Sequence, residues 1–152
     1  MPTDRTARRA ATLIASVLSC DALLHLCWST GSTWPAHDVK SLSYAVLGAD
    51  VPFTPPVLLP LATALFTASG VVVARARLHR PHALLRLGTW AVAAGLSLRG
   101  LAGVYWLFAK DPEFYWLNLG AYTPLCAGLA AAAVRVARPE PVAHREDAVR
   151  VR

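Results

Sequence analysis

Four long apolar segments constrain the fold of this chain more than any other feature of its sequence. They cover residues 10–29, 57–74, 87–108 and 121–137. A helix rises ~1.5 Å per residue and the hydrocarbon core of a bilayer is ~30 Å thick, so about 20 residues cross it. The first and third segments reach that length, and the other two are slightly shorter. The pattern predicts an all-α integral membrane protein, a bundle of four transmembrane helices.

The composition agrees with a lipid environment. Hydrophobic residues make up 55% of the 152 residues and charged residues 16%, against roughly 25% charged in an average soluble domain. The formal net charge of +6 does not indicate nucleic-acid binding, because the basic residues stand at the ends of apolar segments and not along one helix face. The expected partner is therefore the lipid bilayer, with no nucleic acid.

The basic residues alternate between the two sides of the predicted membrane. Twelve arginines fall before the first span, between the second and third, and near or after the end of the fourth. They are Arg5, Arg8, Arg9, Arg75, Arg77, Arg80, Arg86, Arg135, Arg138, Arg145, Arg150 and Arg152. The other two connections hold only Lys40 and Lys110. Because basic loops stay in the cytoplasm, we predict a multi-pass protein of the cell membrane with both termini cytoplasmic (N-in/C-in).

This orientation divides the chain into three parts. Residues 1–9 form a basic cytoplasmic N-terminus, residues 10–138 the transmembrane domain, and residues 139–152 a disordered cytoplasmic tail. Residues 30–56 and 109–120 become outer loops rich in aromatic residues, and we expect a short interfacial helix over residues 41–47.

A cleaved signal sequence is the alternative for the N-terminus, since Arg8-Arg9 precedes an apolar run. The run continues past Cys20 to Trp28, which is too long for the core of a signal peptide and offers no good cleavage site. The residues therefore favour a first span that is retained.

Ionisable residues inside the predicted spans form a candidate site. Each costs about 2.5–3.5 kcal/mol at the bilayer centre, so each needs a partner or a function. Asp21 and His25 share one face of the first span, and Arg99 lies past the middle of the third. Asp21 and Arg99 both lie ~13 Å below the outer end of their helices. We expect these two residues to form an ion pair or share a polar cavity, with His25 one turn nearer the outer face.

Two interpretations of this cluster remain open. A buried Asp–Arg pair can simply fix the register of two helices. Alternatively, Asp21 is an acid whose proton supply His25 tunes, while Arg99 holds an anionic head group. Under the second interpretation Asp21, His25 and Arg99 are the candidate catalytic residues. The candidate substrate-binding residues at the mouth are Trp28, Tyr105, Tyr122 and Cys126.

Neither a cofactor nor a metal is expected. His25, His37 and Asp38 do not have a recognised ligand spacing, and no phosphate-binding loop is present. The odd number of cysteines without a CxxC motif argues against a disulfide framework. We therefore interpret the cysteines as small buried hydrophobic residues; they are Cys20, Cys27 and Cys126.

The third and fourth segments contain three distinctive motifs: Leu98-Arg99-Gly100, Asn118-Leu119 and, most specifically, Tyr122-Thr123-Pro124-Leu125-Cys126. The first half adds His25, Trp28, Gly31, Trp34 and Pro35. Together these residues resemble the DUF3995 family of small bacterial membrane proteins. The resemblance implies a four-helix membrane protein and adds no activity. The family pattern has an acidic residue close to position 118, where this chain has an amide.

Three classes of function follow as hypotheses. The first is a non-catalytic bundle with an outward-facing polar site, acting through a protein partner or as a homo-oligomer. The second is a small membrane enzyme acting on a lipid, isoprenoid or quinone, with Asp21, His25 and Arg99 as its polar centre. The third, a transporter or channel, lacks the paired helix interruptions typical of transporters.

Overall fold

The structure is a computed structural model that describes residues 2–78, 82–105 and 112–138. Within these residues all regular secondary structure is helical and no strand is present, as predicted. The helices are α1 (Pro2–Ser29), α2 (Val39–Leu47), α3 (Pro55–Arg77), α4 (Ala83–Tyr105), α5 (Pro112–Leu117) and α6 (Thr123–Ala137), with a π-helical turn at Asn118–Tyr122 between α5 and α6. The predicted tail, residues 139–152, lies outside the described residues.

Four helical segments are long and apolar enough to cross a membrane, which confirms the central prediction. They are Arg5–Ser29, Pro55–Arg77, Ala83–Val104 and Tyr115–Ala137. Only 22–28% of the most apolar window of each segment is buried inside the bundle. The remaining apolar surface faces outward, including Leu84, Leu98 and Leu101, each at least 65% exposed. A soluble monomer rarely exposes apolar patches of that extent, so the fold suits a multi-pass membrane protein.

The fourth segment begins earlier than the predicted residue 121. The aromatic stretch that we expected to be loop is helical from Pro112 and continues through the π-helical turn into α6. In that turn the amide of Thr123 donates to the carbonyl of Asn118, five residues back. Pro124, predicted near the start of a span, instead follows the turn inside the helical segment. In a regular α-helix the ring of Pro124 would clash with the carbonyl four residues before it. The wider π-helical turn lies at that place.

Helix α2 confirms the predicted short helix and begins two residues before the expected residue 41. Asp38 caps its N-terminus, because Asp38 Oδ1 accepts a hydrogen bond of 2.8 Å from the amide of Ser41. At the other end Gly48 adopts a left-handed conformation with φ of 67°, and its amide donates to the carbonyl of Tyr44. A carboxylate cap and a glycine stop together explain the bounds of this helix.

The four long segments pack in a ring in which chain neighbours are also neighbours in space. Helix α1 contacts α3 and α6, and α4 contacts α6 and α3. Hydroxyl groups join α1 to α3: Ser19 Oγ donates to Ser69 Oγ over 3.2 Å, and Ser69 Oγ donates to the carbonyl of Ala15 over 3.2 Å. Such interhelical hydrogen bonds and small residues are what hold membrane helices together.

Two apolar clusters occupy opposite ends of the bundle. The larger contains Ala11, Ile14, Leu18, Val72, Ala93, Leu129, Ala133 and Val136. The smaller contains Trp28, Leu42 and Leu58 beneath α2. We call the end with the smaller cluster the α2 end. We call the end with the larger cluster the basic end, because it also carries the described arginines Arg5, Arg8, Arg9, Arg75, Arg77, Arg86, Arg135 and Arg138. Asp21 lies on α1 between the two clusters.

The expectation that the cysteines are buried is wrong for two of the three. Cys20 and Cys27 are exposed and Cys126 is half-buried. Cys20 and Cys27 are seven residues apart, hence on one side of α1, while the opposite side of α1 packs on α3 and α6. All three are free thiols.

Candidate functional site

The predicted cluster begins with an acid–histidine pair on α1. His25 Nδ1 lies 2.8 Å from the backbone carbonyl of Asp21 and 3.4 Å from its Oδ1. A carbonyl oxygen only accepts, so Nδ1 carries the proton and Nε2 is the acceptor of the neutral ring. The His25 side chain is buried, whereas that of Asp21 is 47% exposed. The carboxylate is therefore the accessible member of the pair.

Arg99 is held by the fourth helical segment. Its Nη1 donates to Asn118 Oδ1 over 3.3 Å. Asn118 is fully buried, and its Nδ2 donates to the carbonyl of Gly103 over 2.7 Å. Thr123 Oγ1 donates to the same Asn118 Oδ1 over 3.4 Å. The bond to Gly103 fixes which way the amide points, so its oxygen is turned towards the guanidinium.

This network requires a close approach between α4 and the π-helical turn. A Cβ at Gly103 would collide with Thr123 Oγ1 and come within 3.1 Å of Asn118 Oδ1. Gly103 therefore admits a neighbouring element one turn from Arg99. Gly95, one turn away on the other side of Arg99, does not, because a Cβ there would meet nothing within 4 Å. Gly103 lets the Asn118 side chain reach the α4 backbone.

Tyr122 and Cys126 lie close to Arg99. The Arg99 guanidinium carbon is 5.5 Å from the centre of the Tyr122 ring, within the range of a cation–π contact. A Cβ at Gly100, next to Arg99 on α4, would lie 3.8 Å from Cys126 Cβ. The structure thus brings Arg99, Tyr122 and Cys126 together. A direct ion pair between Asp21 and Arg99 stays a prediction.

The α2 end covers this region. Tyr122 Oη donates to the carbonyl of Ala45 in α2 over 3.2 Å. Trp28 is buried beside His25, with ring centres 5.1 Å apart, and its indole N–H donates to the carbonyl of Trp34 over 2.8 Å. Trp28 also contacts Phe53. Trp28 therefore anchors the connection between α1 and α3 beside the cluster.

Sequence reasoning missed the part that Asn118 plays. A signal was available: Asn118 is the only asparagine in a chain without glutamine, and it stands among apolar and aromatic residues. An amide at such a place needs partners, but only the packing shows that they come from α4. Tyr105, the remaining predicted site residue, ends α4, and its side chain lies outside the described part of the chain.

No group of three or more His, Cys, Asp or Glu residues within the described ranges is arranged to hold a metal ion. The cluster instead offers a carboxylate, an imidazole, a guanidinium, a phenol and a thiol. Such groups bind polar or charged parts of a ligand and exchange protons with it.

Four helices that are long and apolar enough to cross a membrane define a membrane-type helical bundle. The family model described as a protein of unknown function (DUF3995) matches residues 18–133. The chain belongs to this family, as its motifs indicated. No curated protein and no solved structure matches the chain.

Proposed function

We propose that the chain is a multi-pass protein of the cell membrane that binds the polar head of a lipid or isoprenoid in the outer half of the bilayer. The observation that carries the proposal is the position of Arg99, which is bonded to the buried Asn118 and lies 5.5 Å from the centre of the Tyr122 ring, in a helix apolar enough to cross a membrane. Inside a bilayer a charged group is costly unless it is paired or used. A head group carrying an anion next to the isoprenoid or acyl chain matches this arrangement.

The proposed orientation places the α2 end outside the cell. Its support is the set of arginines at the basic end, since positively charged segments next to spans remain in the cytoplasm. The orientation is tested with cysteine-free protein carrying either His37→Cys or Arg138→Cys. A membrane-impermeant maleimide should label the first variant in intact cells and the second only after lysis. The reverse pattern would contradict the orientation.

Arg99 is the residue on which head-group binding depends most directly. A guanidinium binds phosphate or carboxylate through two parallel hydrogen bonds and keeps its charge in apolar surroundings. Its bond to Asn118 holds it at the level of Tyr122, where the α2 end covers the cluster. The ligand would then enter from the side or after α2 moves.

The first test is mass spectrometry of small molecules that co-purify with the detergent-solubilised protein. We expect one discrete lipid or isoprenoid in the wild type that is lost in Arg99→Leu. Arg86→Leu, which removes an arginine of α4 at the basic end, is the matched control and should retain it. If all three proteins carry only bulk phospholipid, the cluster serves to fix helix register and the binding proposal fails.

A second candidate is a small membrane enzyme acting on the same class of ligand, or on a quinone. The specific observation is the 3.4 Å pairing of His25 with the accessible carboxylate of Asp21, an arrangement able to supply and remove protons. Asp21→Asn keeps the shape and removes the acid, so conversion of the co-purified ligand should cease while the ligand still binds. Unchanged conversion in Asp21→Asn would eliminate this mechanism.

A further inference from the structure

An open apolar groove runs along the bundle between α3 and α4. Helix α3 packs far more extensively on α1 than on α4. Several of the residues between α3 and α4 are small, which leaves space between the two helices. The groove has a volume of about 760 Å³, within the ~300–1,000 Å³ of ordinary ligand sites. Its lining includes Pro60, Ala64, Thr67 and Val71 from α3, and Gly88 and Val92 from α4.

The wall of this groove suits hydrocarbon. Its two hydroxyl groups donate within their own helix: Thr63 Oγ1 to the carbonyl of Leu59 over 2.9 Å, and Thr67 Oγ1 to the carbonyl of Thr63 over 2.8 Å. The donor hydrogens are therefore already used, and the remaining lining is predominantly aliphatic. A polar ligand would gain little here, whereas a methylene chain would fill contacts that the helices leave empty.

The α3 side of the groove ends at Val71, one helical turn before a charged residue at the basic end. Arg75 follows Val71 by four residues, so both lie on the same face of α3. Arg75 Nε is buried and, among the residues that the structure describes, has no hydrogen-bond partner. A buried donor without a partner is rare in folded proteins. An anion at the mouth of the groove would supply the acceptor.

We propose that the α3–α4 groove holds one acyl chain of an anionic phospholipid whose phosphate pairs with Arg75. The stretch from Leu59 to Val71 is twelve residues, or ~18 Å of helix, slightly more than one leaflet of a ~30 Å hydrocarbon core. A lipid in the leaflet at the basic end therefore places its head group at Arg75 and its chain along the groove. This site is separate from the cluster around Arg99 and does not depend on the function proposed for it.

The head-group half of the proposal is tested by native mass spectrometry of the full chain, titrated with phosphatidylglycerol or with phosphatidylcholine of the same acyl chains. We expect one tightly held phosphatidylglycerol. Arg75→Gln should weaken its binding about tenfold, a change readily measured by such titration, and leave phosphatidylcholine binding unchanged. Arg77→Gln removes an equal charge from the same helical turn and should have little effect. Equal weakening by both variants would overturn the proposal.

The groove half is tested by filling the space. Ala64→Phe should weaken both lipids, whereas Ala94→Phe, at an exposed alanine of α4 that does not line the groove, should weaken neither. Glycerol phosphate, which has the anion but no chain, should not displace the lipid. Displacement by glycerol phosphate, or full binding to Ala64→Phe, would overturn the proposal. Thermal unfolding verifies that each variant is folded, and Arg75→Met, which also removes the charge and keeps a long side chain, replaces Arg75→Gln if that variant does not fold.

Discussion

The buried amide of Asn118 bonds to α4 through both of its polar atoms. Its oxygen accepts a hydrogen bond from Arg99 over 3.3 Å, and its nitrogen donates one to the carbonyl of Gly103 over 2.7 Å. An acid at this position would offer the arginine a full charge but, when ionised, would have no donor for the carbonyl of Gly103. The asparagine therefore satisfies both neighbours at once, and this holds α4 against the π-helical turn.

Asn118→Ala should lower the free energy of unfolding by ~1–3 kcal/mol, because it leaves the carbonyl of Gly103 and the guanidinium of Arg99 without that partner. Thermal or denaturant unfolding in detergent measures the change. Thr67→Ala is the control, since that exposed hydroxyl bonds only to its own helix. Loss of equal stability in the two variants would show that Asn118 is not a special contact.

Gly103→Ala should destabilise the protein by ~1–3 kcal/mol through overpacking, because the added methyl group collides with the Thr123 hydroxyl. Gly95→Ala, eight residues earlier on the same helix, meets open space and should be neutral or stabilise by up to ~1 kcal/mol. Removing the obstructing hydroxyl in the double variant Gly103→Ala, Thr123→Ala should recover part of the loss. A Gly95→Ala variant as unstable as Gly103→Ala would contradict the packing described.

Tyr122→Phe should loosen α2 from the bundle without displacing the ring beneath Arg99. The phenol hydroxyl donates a hydrogen bond to the carbonyl of Ala45 in α2. The substitution removes this bond and retains the ring. Amide hydrogen exchange in α2 should accelerate relative to wild type. Tyr44→Phe, which removes a hydroxyl from α2 itself, serves as the comparison and should exchange more slowly than Tyr122→Phe.

Acid should release the N-terminal cap of α2. The hydrogen bond from the Ser41 amide lowers the pKa of the Asp38 carboxyl below its ordinary value. A depressed folded pKa means that the cap contributes stability above the ordinary carboxyl range and loses it as pH falls through the lowered value. The protection factor of the Ser41 amide, which compares its exchange rate with the unstructured rate at the same pH, should therefore fall at acidic pH, and Asp38→Asn should remove that fall. Asp50→Asn, in the loop after α2, should leave it in place.

Much of the fold was predictable because membrane crossing constrains composition over long stretches. An apolar run of about 20 residues has few structural options in lipid, where a helix satisfies its own backbone. The short helix α2 was predicted over residues 41–47, but its start at Val39 follows from the Asp38 cap, which the prediction did not use. The start of the fourth segment was not predictable, because an aromatic stretch at the membrane surface is compatible with either loop or helix.

The candidate site was predictable only in part. Asp21 and His25 are four residues apart on one helix, so helical periodicity alone brings them together. Arg99 and Tyr122 belong to different helices, and their contact depends on the turn at Asn118–Tyr122. The prediction for Cys20 and Cys27 was wrong, because their apolar surroundings in the sequence indicated burial. Which side of α1 contacts the other helices depends on packing.

The sequence by itself determined the class of this protein: four apolar helices, their order, and an ionisable pair on the first of them. Only the tertiary structure decided the contact of Arg99 with Asn118, the need for Gly103 to lack a side chain, and the groove between α3 and α4. The physical reason is the separation along the chain over which each interaction acts. Hydropathy and helical periodicity act between residues close along the chain, whereas the amide of Asn118 is satisfied by a carbonyl fifteen residues away, which is reached only when two helices come into contact.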